Sequence, residues 1–233
     1  MRVLDKVFGG RIDIPKMFIG KNALHLPTLK THVFTTITGA MKNAFGGLLN
    51  DNRHWTHGVI HDTLVDLLQI QKEIHPGIFC LTDGTFAGNG AGPRIMEPHI
   101  KNYLLASADS VAIDAIAAKM MGFDPMKIRF LNLAHEQGLG TARPQEIEIV
   151  GEDISKVNFG FKSTDTIFSR GQKAIYWGPF KPFEHFLLRT PIVPWSYFAS
   201  RVFHDFLWYN VFGKPIVKKF LRTGWGKLFK KYG

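Results

Sequence analysis

Between residues 26 and 57 the chain collects Lys30, His32, Lys42, Asn43, His54 and His57, in a run that is otherwise apolar or small as far as Leu49 and turns polar at Asn50-Asp51-Asn52-Arg53. Lysines usually project into water. Set among apolar neighbours, they can instead pair with a ligand carboxylate or phosphate, or one of them can act as a desolvated base. Thr31, Thr35, Thr36 and Thr38 add hydroxyls, and Gly39, Gly46 and Gly47 allow close backbone approach. A hydrophobic core needs none of this mixture, so the stretch reads as one wall of a site. Lys30, His32 and Lys42 are its candidate catalytic groups, with Asn43 as a ligand contact. The reaction itself is not written in these residues.

A second stretch follows the short apolar run 78–81. Asp83 precedes Gly84, Gly88, Gly90 and Gly92, ahead of Pro93. A carboxylate at a strand end followed by glycines lies where α/β sheets commonly hold ligands. Asp83 therefore joins the candidate catalytic set and the four glycines the candidate cofactor contacts. The alternative is a tight irregular loop with no ligand. The spacing is neither a phosphate-binding Gly-Lys-Ser/Thr loop nor a dinucleotide fingerprint.

His54, His57 and His61 have i, i+3, i+7 spacing. With His32 they offer neutral imidazoles to a divalent metal, His32 and His57 foremost; read otherwise, they are the polar start of a helix. Asp109 is accounted for as a helix cap. Asp114, inside an Ala/Ile-rich helix, needs a partner, for which a site lysine is a candidate. It is counted with the cofactor contacts. Cys80 reads as a small buried hydrophobe.

The elements that must position these groups alternate. Short strands are expected at 11–14, 23–26, 78–81, 103–106 and 146–150. Helices are expected at 34–46, 59–71, 111–121 (stopped by Gly122) and from Pro125 to about Gln137. That grammar predicts an α/β layered domain with a mostly parallel sheet over residues 1–170.

Residues 171–233 differ in composition. They hold eleven Lys/Arg against Glu184 and Asp205, so they carry +9 of the chain's net +10, and 17 of its 30 aromatics. A basic, aromatic-rich helical extension is expected there. It suits an anionic membrane surface, docking on the domain or a second subunit, or single-stranded nucleic acid, the last least for want of a motif. The opening residues hold no signal-peptide pattern. No uncharged apolar run reaches spanning length; the longest, 190–200, contains Pro191 and Pro194. A single cysteine excludes an iron–sulfur cluster ligated by this chain alone.

Together these motifs resemble the domain-of-unknown-function family 362. They are Leu26-Pro27-x-Leu29-Lys30-Thr31-His32, Thr38-Gly39-Ala40-x-Lys42-Asn43-x-x-Gly46, His57, Thr82-Asp83-Gly84 with Gly88-x-Gly90-x-Gly92-Pro93, Ala108-Asp109-Ser110-Val111-Ala112-x-Asp114-Ala115, and Gly138-Leu139-Gly140. The resemblance covers roughly residues 11–155. It implies a cytoplasmic α/β domain, often linked to iron–sulfur or ferredoxin modules, with a separate ferredoxin-type protein as a partner. It also implies that this chain begins late relative to the family.

Two functions follow. In the first, the domain binds a small anionic ligand or cofactor as a redox-associated enzyme, and its tail reaches the inner face of a membrane. In the second, it is a non-catalytic scaffold anchored by that tail.

Overall fold

The computed structural model describes residues 3–49, 51–191 and 193–232; Ile192, inside the apolar run at 190–200, lies outside them. The protein is an α/β layered domain with C-terminal helices. Its sheet is built around one long strand, β4 (Ile78–Ala91). β1 (Ala23–His25) and β2 (Thr28–His32) both run parallel to β4, separated from each other only by Leu26 and Pro27. β3 (Thr36–Thr38) returns antiparallel to β2, and β5 (Ile95–Ser107) lies antiparallel to β4. Cys80 is paired with His25 on one side and Ser107 on the other, so β1 and β5 flank β4.

The two faces of the sheet differ because alternate residues point opposite ways. Ile78, Cys80, Tyr103 and Leu105 pack against α5 (Ser110–Met121), which contributes Ile113, Ile116 and Met120. The cap of α5 is local: the Asp109 carboxylate accepts the Val111 and Ala112 N–H groups, and Gly122 closes the helix at φ 101°. α4 (Ile60–Ile74) presents Ile60, Leu64, Leu67 and Leu68 to a larger core that α5 enters through Val111, Ala115, Ala118 and Met121 and where α6 (Arg129–Glu136) adds Phe130, Leu131 and Ala134. Each such side chain removed from water contributes about 1.5–3 kcal/mol. On the other face, Leu24, Leu26, Phe79, Leu81 and Leu104 are bare, 36 to 66% exposed.

The tail comprises α7 (Ile167–Tyr176), α8 (Glu184–Leu188), α9 (Val193–Arg201), a wider π-helical run over Val202–Gly213, α10 (Lys214–Phe220) and α11 (Gly224–Tyr232). Gly171, where the composition changes, falls inside α7, which opens with a reciprocal Thr166/Ser169 capping box. Phe220 and Phe229 pack edge-on against Phe86 of β4, and Trp225 donates to Asn102 of β5. The tail thus covers part of the face that is bare further along. No helix among the described residues is long and apolar enough to cross a membrane.

Several expected elements take another form. Residues 11–14 make no strand; Arg11 pairs with Asp13 in solvent. The strand expected at 146–150 is absent: Glu146 ends a 3-10 turn, Pro144–Glu146, and residues 147–150 follow it without joining the sheet. The helix expected at 34–46 is divided into β3, α2 (Ala40–Asn43) and α3 (Phe45–Leu48), because Thr36 to Thr38 pair back onto β2. After Asp124 caps the 3-10 turn Pro125–Lys127, the helix restarts at Arg129. The glycine run after Asp83 is strand, its backbone hydrogen-bonded to β5 through Ala91.

Candidate functional site

The end of β2 and the segment after β3 bring Lys30, His32, Lys42 and His57 into one electrostatic cluster. His32 is buried. Its Nδ1 accepts the Phe34 and Thr35 N–H groups at 3.1 and 3.3 Å, which fixes the β2–β3 turn and leaves the proton on Nε2. Burial, then the charge of Lys42, pushes its pKa down to about 2. His57 has the opposite tautomer. Its Nδ1 donates to the His54 carbonyl at 3.0 Å, leaving a lone pair on Nε2. Its ring packs among Phe34, Phe45 and Tyr176, and burial pushes its pKa down to about 4.

Lys42 lies 4.9 Å over the Phe45 ring, and among the described residues no carboxylate pairs with it. Burial, followed by the charges of Lys30 and Arg53, lowers its pKa to about 8. Lys30 donates to Thr28 Oγ1 at 2.8 Å and also lacks a carboxylate partner among the described residues; burial lowers its pKa. Across the ladder from Lys30 stands Thr38, whose buried Oγ1 has no hydrogen-bond partner among the described residues. The cluster therefore combines two cationic amines, an Nε2–H donor and an Nε2 acceptor.

α2 places Lys42, and a buried carboxylate places α2. Asp114 accepts the Ala40 and Met41 N–H groups at 2.6 and 3.0 Å. Its partner is this helix start, where a site lysine had been a candidate. Burial pushes the Asp114 pKa up to about 7, against the two hydrogen bonds that favour the carboxylate. Gly39 is required there because a Cβ would overlap the carboxylate.

The other candidates lie elsewhere. Asn43, next in α2, turns away: its amide nitrogen is 3.3 Å from His25 Nδ1, while His25 Nε2 meets Gln71 Oε1 at 2.6 Å. These residues line a separate cavity of about 310 Å³. Asp83 accepts the Thr85 N–H at 2.8 Å within the β4 bulge. The four glycines serve close strand packing. A Cβ on Gly84 would press on the Tyr103 carbonyl, on Gly88 on Met96 and Lys30, and on Gly92 on the Thr31 carbonyl. Gly90 has φ 117° and accepts the Thr31 hydroxyl at 2.8 Å. Cys80, 3.2 Å from Ser110 Oγ, has its thiol pKa pushed up to about 11 by burial, which makes it a poor nucleophile. The His54 side chain turns to the tail, its Nε2 2.9 Å from the Leu188 carbonyl oxygen, while its own carbonyl holds His57. Among the described residues no three His, Cys, Asp or Glu side chains come together.

Beside the cluster opens a cleft of about 1100 Å³, lined in part by Phe34, Thr36, His61, Arg129, Lys173 and Trp177. Arg129 is paired with Asp62 at 3.0 Å and Lys173 with Asp165 at 2.8 Å. Lys173 and Trp177 come from α7 and its end, where sequence reading saw only tail charge and aromaticity. No local motif marks them.

An α/β domain with a mixed sheet and a basic cluster at the end of β2 is the class these features define. Residues 7–119 match the family described as "Domain of unknown function (DUF362)". Over 120 residues, 50% of this chain, it is 31% identical to "Thylakoid-associated protein sll1697" of Synechocystis sp. (strain ATCC 27184 / PCC 6803 / Kazusa). The match spans 37% of that protein's length. No solved structure matches the chain.

Proposed function

We propose that the Lys30–His32–Lys42–His57 cluster binds a small anionic ligand or cofactor. One observation carries this reading. Two desolvated lysines stand together, and neither has a carboxylate partner among the described residues. Like charges in a partly buried place repel each other, and an anion would remove that cost. With its pKa near 8, Lys42 can serve as the cation for binding and, in its neutral fraction, as a base. Redox-associated chemistry with a separate ferredoxin-type protein extends the reading on the strength of the family resemblance alone. The expected result is thermal stabilisation by phosphate or sulfate that disappears in Lys42→Ala. No stabilisation by any of a panel of small anions would count against it.

A second reading concerns the tail, as a peripheral contact with an anionic membrane from the cytoplasmic side. It is supported by the exposed Leu228 and Tyr232 of α11, beside Lys227, Lys230 and Lys231. The printed name of the Synechocystis relative, which places that protein at thylakoids, agrees with it. Flotation of the chain with anionic liposomes should be lost on removing residues 214–233. Flotation indifferent to that deletion would remove the anchor.

A further inference from the structure

A second cavity, of about 370 Å³, lies between the sheet and the tail. That volume is within the range of small-molecule sites, roughly 300–1,000 Å³. The sheet contributes Leu29, Ala87 and Met96, and the tail contributes Trp208, Val217 and Phe220. Two cations stand on its wall, and their situations differ. Arg94 is neutralised by Asp205, with contacts of 2.6 and 2.8 Å. Among the described residues Lys30 has only the Thr28 hydroxyl.

We propose that this cavity takes the apolar chain of an amphiphilic anion, a long-chain phosphate monoester or carboxylate, whose head group is bound by Lys30. The apolar walls offer nothing to an inorganic anion, whereas a hydrocarbon chain leaving water gains from them. A neutral lipid would leave Lys30 unsatisfied. Gly88 keeps the passage beside Lys30 open, since a Cβ there would meet Met96 Sδ at 2.7 Å and Lys30 Cβ at 3.2 Å. The inference rests on the anion reading above for its head group and on the cavity for its chain.

The test uses the full chain with three probes: dodecyl phosphate below its micellar concentration, inorganic phosphate, and 1-dodecanol. Dodecyl phosphate should bind at least about tenfold more tightly than either of the others. Lys30→Gln should reduce it to the level of dodecanol. Val217→Trp, at a cavity-lining position 39% exposed, should fill the cavity and weaken dodecyl phosphate about tenfold or more. The same variant should leave stabilisation by inorganic phosphate through Lys42 unchanged. Dodecyl phosphate no tighter than phosphate, or indifferent to Val217→Trp, overturns the proposal. Insensitivity to Lys30→Gln overturns it as well. If phosphate still acts through Lys42 in those cases, the anion site stands and only the cavity reading falls. If dodecyl phosphate behaves as expected while inorganic phosphate has no effect, the cavity reading stands without the other.

Discussion

Lys42 and Asp114 are linked through one short helix and shifted in opposite senses. The amine has its pKa lowered to about 8 from 10.5, and the carboxyl has its pKa raised to about 7 from 3.8. For Lys42 the sign can be followed into binding. Below about pH 8 the free protein already carries the proton that an anion would favour. Above it, binding must take up a proton, so sulfate affinity should fall by about tenfold per pH unit until the bound-state pKa is reached. Titrations from pH 7 to 10 should show that decline in the wild type and a flat, weak response in Lys42→Met. Sulfate is the suitable probe because it does not itself titrate in this range. Asp114→Ala would leave two buried N–H groups without acceptors and should cost about 2–4 kcal/mol in urea unfolding. A change within 0.5 kcal/mol would show that α2 does not depend on this cap. The lysines were legible in the sequence because charge stands out in an apolar run. The partner of Asp114 was not, since it is backbone 73 and 74 residues away and has no side-chain identity to read.

At the scale of elements, legibility follows how local the determining contacts are. α5 could be delimited because its cap and its stop lie within three residues of its ends. β4 could not be followed past Asp83, because glycine-rich sequence has the local chemistry of a loop. Only the ladders to β5 on one edge and to β2, more than fifty residues away, on the other turn it into strand. Gly92→Ala would drive a methyl group into the Thr31 carbonyl and should destabilise the protein by about 2–4 kcal/mol, read as a shift in urea midpoint. An unchanged midpoint with lost anion binding would instead return the glycine to the ligand. The alternation at 11–14 misled for the converse reason: no neighbouring strand is there to receive it.

Across the whole molecule, domain and tail are joined by aromatic contacts more than by charge. Phe86 meets Phe220 and Phe229 with ring centroids 5.1 and 5.4 Å apart. The Arg94–Asp205 pair lies in solvent, with side chains 41 and 60% exposed. Phe86→Ala should therefore speed tryptic cleavage at Lys218, Lys219 and Arg222 several-fold, whereas Arg94→Ala should change stability by less than about 1 kcal/mol. The reverse ranking would make the charge pair the fastening. Composition could suggest docking only as one of three fates for the tail, because the receiving Phe86 lay in a stretch that read as loop.

The bare sheet face has a consequence for the chain in concentrated solution. At low ionic strength a net charge of +10 keeps copies apart, but added salt screens that repulsion within about 10 Å at 0.1 M. Salting-out ions also strengthen the tendency of Leu24, Leu26, Phe79, Leu81 and Leu104 to leave water. The protein should thus be most dispersed in dilute buffer and sediment as larger species when ammonium sulfate is added. Leu104→Glu would push the onset to higher salt. Its colloidal behaviour would then be governed by five side chains, with the lysines setting only the salt concentration at which they take over.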